Sequence, residues 1–472
     1  MRRPWTGLAA LLCAGMLAGC STAAPAPAPA VDLTLPARLA ATTSGDGAFT
    51  HLRALQAIAD QHGGTRAVGT PGFDASVDYV ATTLRNAGFT VDTPTFDART
   101  FSVQDQKLTV GGAPVTAAAM RFSPAGQVRG PLHVLALDAT SGCEAADFAG
   151  TPTGAVVLAK RGTCPFAVKS QNARKAGAAA IVVANTEDTP LPGTLGDAAD
   201  TVPSMGVTSS VGDGLAGREG APVTLLVAAT STRVSGRNVI AQTATGDPAH
   251  VVMAGAHLDS VPEGPGINDD GSGMAALLDV ALALGPSPAA TNAVRFAWWG
   301  AEEVGLVGST QYVQGLAPGD AKRIALYLNL DMLASPNAGY LVYDGDDSDN
   351  VGRGPGPPGS DTVEKVLTDQ LAALNVQSQG TDFDGRSDYG PFIDAGIPSG
   401  GLFTGAEERK TAAQAARWGG QPDQPFDPCY HRACDTLANV DRTALDRNTD
   451  ALAATVGRFA LTLSGVPRAR ES

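Results

Sequence analysis

Three apolar runs in this 472-residue chain end on side chains that can bind a metal. The first leaves as Ala256-His257-Leu258-Asp259, the second as Gly300-Ala301-Glu302-Glu303, and the third as Leu330-Asp331-Met332. After the first, a loop reading GPGINDDGSG brings Asp269 and Asp270 to the start of another apolar stretch. Taken singly, these residues have ordinary explanations: an Asp before a helix caps it, and paired glutamates usually occupy a solvated turn. Delivered to one edge beside an imidazole, this many carboxylates repel one another at a cost that only bound cations offset. Imidazole and carboxylate without thiolate suit zinc, ahead of manganese or cobalt, and the number of carboxylates suggests two ions. Two divalent ions with a bridging Asp and two further carboxylates keep one positive charge. A hydroxide would neutralise it, which is an arrangement that makes a nucleophile from water.

The elements that must position these groups are readable as well. His250–Ala256, Ala293–Trp299 and Ile324–Leu330 read as strands, and Gly273–Leu284 reads as an apolar helix. Strands alternating with helices imply a parallel βαβ sheet covered on both faces, a three-layer α/β body with a mostly parallel sheet. Ligands of such a sheet collect at the carboxyl ends of its strands. Upstream, helical spacing over Phe49–Ala59 and Val77–Leu84 precedes a strand near Phe89–Phe96; downstream, Leu445, Leu452, Val456, Phe459 and Leu463 share a helical face that Gly465 and Pro467 end. From Gly130 the texture is different: short β-rich runs at Leu132–Leu137, Ala155–Ala159, Ala179–Ala184 and Val223–Val227, with a helical pattern over Phe166–Ala176.

Lys and Arg number 33 against 47 Asp and Glu, a net charge of −14, which argues against a nucleic-acid partner. The N-terminus has the layout of a secretory signal, Met1-Arg2-Arg3 and then an apolar run from Leu8 to Leu17 that is too short to span a bilayer permanently. Leu17-Ala18-Gly19-Cys20 resembles the bacterial lipobox, which implies a lipid anchor on Cys20; an ordinary signal cut near Ala23-Ala24 is the alternative. The expected layout is a signal over 1–20, a Pro/Ala-rich tether over 21–45 that includes APAPAPA, and a tail over 467–472. The expected location is the cell envelope, on its extracellular or periplasmic side, anchored or in part released. With Cys13 removed and Cys20 acylated, four cysteines remain. Of the three pairings, Cys143 with Cys164 and Cys429 with Cys434 close the shortest loops.

The stretch AVVLAKRGTCPFAVKSQNARKAGAAAIVVANT resembles the protease-associated domain. That likeness implies a small β-rich α/β module over 111–233, inserted into a discontinuous body of 46–110 and 234–466, and acting as a lid or a spacer. AHLDS, GPGINDDGSG, FAWWGAEEVGLVGS, NLDMLASPN, FDGRSDYGPF and CYHRACDT together resemble the exported bacterial di-zinc leucyl-type aminopeptidases. The resemblance implies that Asp269 bridges two Zn²⁺, with His257 and Asp331 completing one ion and Glu303 and His431 the other. It implies that the Asp259 carboxylate orients the His257 ring and that Glu302 is the general base to a hydroxide bridging the ions. Tyr430 would stabilise the tetrahedral intermediate, with a packing aromatic as its plainer reading. The substrate would be a peptide N-terminus with an apolar first residue, its amine held by Glu302, Asp331 and the backbone carbonyl of Arg386. Phe403 is a candidate for the pocket wall or the core, and a monomer is expected.

Two other readings compete. A zinc carboxypeptidase or glutaminyl cyclase on the same scaffold would use its site differently, and Arg386 could then meet a substrate carboxylate. An inactive peptide-binding lipoprotein would be expected to have lost a ligand or the base. The acidic run Asp344–Asn350 invites a Ca²⁺ site, but it lacks the Gly and terminal Glu of an EF-hand, which favours a solvated turn.

Overall fold

The computed structural model describes residues 31–467 apart from 192, 351 and 353. The expected signal, Cys20 with its lipid, the APAPAPA spacer and the tail after 467 lie outside the described residues. At the centre is an eight-stranded mixed sheet. Its four middle strands, Asn292–Trp299, Asp247–His257, Ile324–Leu330 and Ser399–Phe403, run parallel in that spatial order. Antiparallel pairings bring in Val239–Gln242 on one side and Leu341–Tyr343 on the other.

The middle strands are apolar on both faces because helices cover both. Trp298 and Trp299 show this within two residues: alternate side chains leave a strand on opposite faces, and both indoles are fully buried, in separate apolar clusters. On one face, helices Gly45–Gln61, Gly271–Leu284 and Arg442–Leu461 supply Leu52, Leu278 and Leu452. On the other, Trp299 donates to the Tyr327 hydroxyl at 2.8 Å, and Tyr327 stacks on Phe392. Gly255 lies beneath that pair, where a Cβ would fall 2.4 Å from the Tyr327 oxygen. This is the expected three-layer body.

A second sheet of eight strands builds the smaller body around Val156–Lys160, Ala180–Ala184 and Ser204–Val207, with the helix Phe166–Lys175 against it. Cys143 and Cys164 are bonded within it, and Cys429 is bonded to Cys434 in the larger body. The second sheet begins earlier and ends later than 111 and 233. Thr95–Val110 pairs with Pro222–Arg237 along its length, from Thr95 opposite Arg237 to Val110 opposite Val223. The middle of the Thr95–Val110 strand is exposed on both faces, so it carries no burial alternation to betray it. The strand expected near Phe89–Phe96 is accordingly two strands in two sheets, Thr90–Asp92 and the start of Thr95–Val110.

Residues 35–42, expected within the tether, are a helix instead, started by Pro36 in its first turn. Leu35 and Leu39 are fully buried, in the same cluster as the 442–461 helix. One apolar pair in eight residues is too short a pattern to read as a helix without its tertiary partner. Leu39→Ala is expected to cost about 2–5 kcal/mol in a urea melt, as for other leucines of a close-packed core, where a tether would show no loss.

His51, in the 45–61 helix, is buried with Nδ1 2.7 Å from the Tyr79 hydroxyl. Burial pushes its imidazole down from 6.5 to about 4. A depressed pKa means the unfolded chain binds the extra proton between these values, so stability is full above pH 6.5 and falls as the pH drops toward 4. Melts at pH 7 and pH 5 should show wild type losing about 2 kcal/mol more than His51→Gln, to order of magnitude.

Candidate metal centre

The three parallel strand exits bring His257, Glu302, Glu303 and Asp331 to one edge, and the loop before the 271–284 helix adds Asp269. His431 comes from a loop after the sheet, with a left-handed backbone (φ 56°) inside the Cys429–Cys434 ring. Asp269 stands between the two histidines. Its Oδ1 lies 3.2 Å from His257 Nε2 and its Oδ2 3.2 Å from His431 Nε2. Asp331 Oδ1 is 3.6 Å from His257 Nε2, and Glu303 Oε2 is 3.0 Å from His431 Nε2. Glu302 faces the same space, 4.0 Å from His257 Nε2.

Among the described residues the carboxylates of this cluster pair with its two histidines and with no Lys or Arg. His257 Nδ1 lies 3.0 Å from the Asp259 carbonyl oxygen, which can only accept, so Nδ1 carries the ring proton. In the neutral ring Nε2 is then a bare lone pair, fully buried, aimed at two carboxylates and without a hydrogen bond of proper geometry. Glu303 Oε1 is likewise buried without a partner. Protein atoms alone balance these charges only by taking up protons. Burial and the neighbouring Asp269 push Glu303 up to about 7. Burial, with Glu303 and Asp331 nearby, holds Glu302 well above the usual carboxylate range. Burial would lower His431, but its hydrogen bonds to Asp269 and Glu303 raise it to about 10. A lone pair converging with carboxylate oxygens on two sides of Asp269 is a donor set that fits a pair of divalent cations, and oxygen and nitrogen donors without sulfur fit zinc.

Each ligand-bearing segment is held by an aspartate that sequence reading assigned elsewhere or missed. The Asp259 carboxylate lies 3.8 Å from His257 Nδ1 and does not orient the ring; the carbonyl of the same residue does. The carboxylate turns to the neighbouring strand exit, where it accepts from the amides of Glu302 (3.1 Å) and Glu303 (3.4 Å). Asp270 caps the helix through Gly273 N–H, as an Asp there ordinarily would, and also accepts from the amides of His257 and Met332. Asp435 accepts from the consecutive amides of Asn268 (2.8 Å) and Asp269 (3.0 Å). Asp427 takes the Cys429 amide and the side chain of Asn268, and Ser387 donates to Asp331 at 2.6 Å. Arg66, fully buried, donates to the carbonyls of Leu258, Pro265 and Gly266. Asp435 and Ser387 sit in stretches whose wording pointed to the site, but nothing in the sequence around Arg66 signals its role.

Tyr430 and Arg386 line the cleft beside the cluster, as does Phe403. Arg386 donates to the Tyr430 hydroxyl oxygen at 3.1 Å and pairs with Glu407 (2.9 Å) and Glu408 (3.3 Å). In the acidic run, Asp344 accepts from the amides of Ser348 and Asp349, closing a turn on itself.

A parallel-centred α/β sheet with imidazole and carboxylates gathered at its strand exits is the layout of a metal-dependent enzyme. The chain belongs to peptidase family M28, whose model matches residues 238–456, and it carries a PA domain matched over 128–215. It is 52% identical over 431 residues to the probable lipoprotein aminopeptidase LpqL of Mycobacterium tuberculosis, covering 89% of this chain and 86% of that one. It is 41% identical over 410 residues to probable leucine aminopeptidase 2 of Aspergillus oryzae, covering 85% and 82%. Among solved structures, the aminopeptidase from Aneurinibacillus sp. strain AM-1 superposes with a TM-score of 0.72 at 27% identity, covering 90% of this chain and 96% of that one.

Asp435→Ala leaves two buried amides beside Asp269 without an acceptor. The expected result is a drop of about 10–100-fold in zinc affinity, read by chelator competition.

Proposed function

We propose that the protein is an aminopeptidase that removes apolar first residues from peptides, and that it works with two zinc ions, to both of which Asp269 would be a ligand. His257 and Asp331 would hold one ion, and Glu303 and His431 the other. Bound there, the ions would supply Lewis acidity to the scissile carbonyl and acidify a water molecule. Glu302, at the mouth of the cluster and outside the ligand pairs, is the base that takes the proton of that water and passes it to the leaving amine. Tyr430 accepts from Arg386, so its own proton is free to donate to the carbonyl oxygen as negative charge develops there. Burial and the charges of Asp269 and Glu303 raise its pKa, which keeps the phenol a donor.

The observation that carries the choice of peptide end is the charge of the cleft. Seven carboxylates line it, from Asp269 to Glu408, against the single guanidinium of Arg386. Two divalent cations would bring four positive charges, and seven negative against five positive still leaves two negative. Such a cleft attracts a protonated α-amine, for which Glu302, Asp331 and the Arg386 carbonyl are the expected acceptors, and it repels a C-terminal carboxylate. Arg386, the cation a carboxypeptidase would need, is already paired with Glu407 and Glu408. The leucine aminopeptidase name of the Aspergillus relative supports an apolar first residue, with Phe403 on the pocket wall. The lipoprotein name of the mycobacterial relative supports export, removal of a signal over 1–20 and a lipid anchor at Cys20. Among the described residues no helix is long and apolar enough to cross a membrane.

Hydrolysis of leucine p-nitroanilide by the purified protein should be lost on chelation and return with zinc. Glu302→Gln should retain its zinc and lower kcat by about 10²–10⁴-fold. Activity that survives both treatments would refute the mechanism.

A further inference from the structure

The segment Gly300–Gly308, which carries Glu302 and Glu303, is a loop with left-handed backbone at Ala301 (φ 60°) and Leu306 (φ 56°). Its internal bonds return to the carbonyls of Gly300, Ala301 and Glu302: Gly308 N–H to Gly300, Val307 to Ala301, and both Gly305 and Leu306 to Glu302. The amides of Glu302 and Glu303 are taken by Asp259. The two ends are joined by Asn238, which accepts from Gly300 N–H at 3.0 Å and donates to the Gly308 carbonyl at 3.0 Å. Gly308 is required there, since a Cβ would lie 2.3 Å from the Asn238 oxygen. Asn238 is the first residue after the strand that returns from the PA domain's sheet.

The carbonyl of Glu303 takes no bond from within the loop. Its donor comes from the second body: Arg121 Nη2, at 3.2 Å. The backbone of Arg121 is fixed on both sides, its N–H on Gly193 O at 2.8 Å and its carbonyl receiving Leu195 N–H at 2.9 Å. Phe122 follows with φ 61°, and its ring lies under the guanidinium of Arg99 at 4.8 Å and near that of Arg121 at 5.8 Å. The 307–315 helix that continues the loop is tied to the same body by Gln311, whose side chain bonds both the N–H and the carbonyl of Asp97.

We propose that Arg121 is a positioning residue for catalysis: the smaller body, which carries the PA domain, reaches across to the Glu303 peptide and completes the loop that aims the general base and a metal ligand. Its presentation is built into the PA domain, and its target is a main-chain atom between the two glutamates and the rest of the loop. The PA domain is on this account a structural part of the active centre and not a spacer. The proposal rests on the aminopeptidase reading for its kinetic consequence alone.

The test compares Arg121→Ala, Arg121→Lys and Arg99→Ala with wild type. Arg99 is the control, since its guanidinium bonds Asp197 and Ser231 on the same domain and does not touch the loop. Arg121→Ala should lower kcat on leucine p-nitroanilide by about tenfold or more, with KM within about twofold of wild type. Arg121→Lys should recover most of that loss, and Arg99→Ala should change neither constant. Hydrogen exchange on the metal-free proteins should show faster exchange across 300–308 in Arg121→Ala than in wild type. Unchanged exchange and kcat in Arg121→Ala, or an equal loss in Arg99→Ala, would overturn the proposal. Wild type without aminopeptidase activity would instead defeat the functional reading, and the exchange comparison would still decide the role of Arg121.

Discussion

The fold is arranged around one electrostatic difficulty, the confinement of a buried imidazole lone pair and several carboxylates in a space with no protein cation to balance them. The buried guanidinium of Arg66 is spent on three backbone carbonyls around the first strand exit, and that of Arg386 on Glu407 and Glu408. Such a cluster keeps its shape only if the main chain beneath it cannot relax away, and three buried aspartates prevent that. Asp259 clamps the Glu302 and Glu303 amides, Asp435 clamps Asn268 and Asp269, and Asp270 clamps His257 and Met332. Each satisfies buried amides that would otherwise have no acceptor, and so converts a flexible strand exit into a fixed platform.

This division of labour explains why two glutamates follow one another at the end of an apolar strand. With both amides fastened to the two oxygens of one carboxylate, the Glu302–Glu303 backbone is set and the side chains diverge. Glu303 then reaches His431 and Asp269, while Glu302 stays toward His257 and the open cleft. Asp269 and Asp270 divide their tasks in the same manner, one facing both imidazoles and the other tying the helix to two strand exits.

How much of this could be read from the sequence followed from how local each signal was. The parallel strands were legible because they are buried on both faces and read as continuous apolar runs; Ile324–Leu330 has the same limits in sequence and structure. His257, Glu302, Glu303 and Asp331 were legible because they sit at the ends of those runs, and Asp269 because its loop follows the first of them, whereas His431, in a distant loop, was reached only through the resemblance carried by CYHRACDT. The 35–42 helix and the long 95–110 strand were not, because the first is specified by its contact with the last helix, and the second is a two-stranded ribbon exposed along its middle. The role of Asp259 was misread for a related reason: spacing places it two residues after His257 but cannot tell whether its carbonyl or its carboxylate faces the ring. Arg66 and Arg121 act on main-chain atoms about 190 and 180 residues away, a relation that leaves no pattern in either stretch.

The same physics bears on how a PA domain is inserted here while the central sheet stays continuous. It leaves and rejoins through paired strands, Thr95 opposite Arg237, so its two connections are held side by side and the central sheet sees an insertion of nearly zero width. Rejoining at Asn238 sets the staple of the catalytic loop immediately beyond the junction. A domain attached by one flexible linker could shield a cleft but could not hold a single carbonyl oxygen in place. A domain attached by a ribbon whose final residue is followed by the loop's own staple shares a frame with the loop, and a side chain as long as arginine then spans the remaining gap.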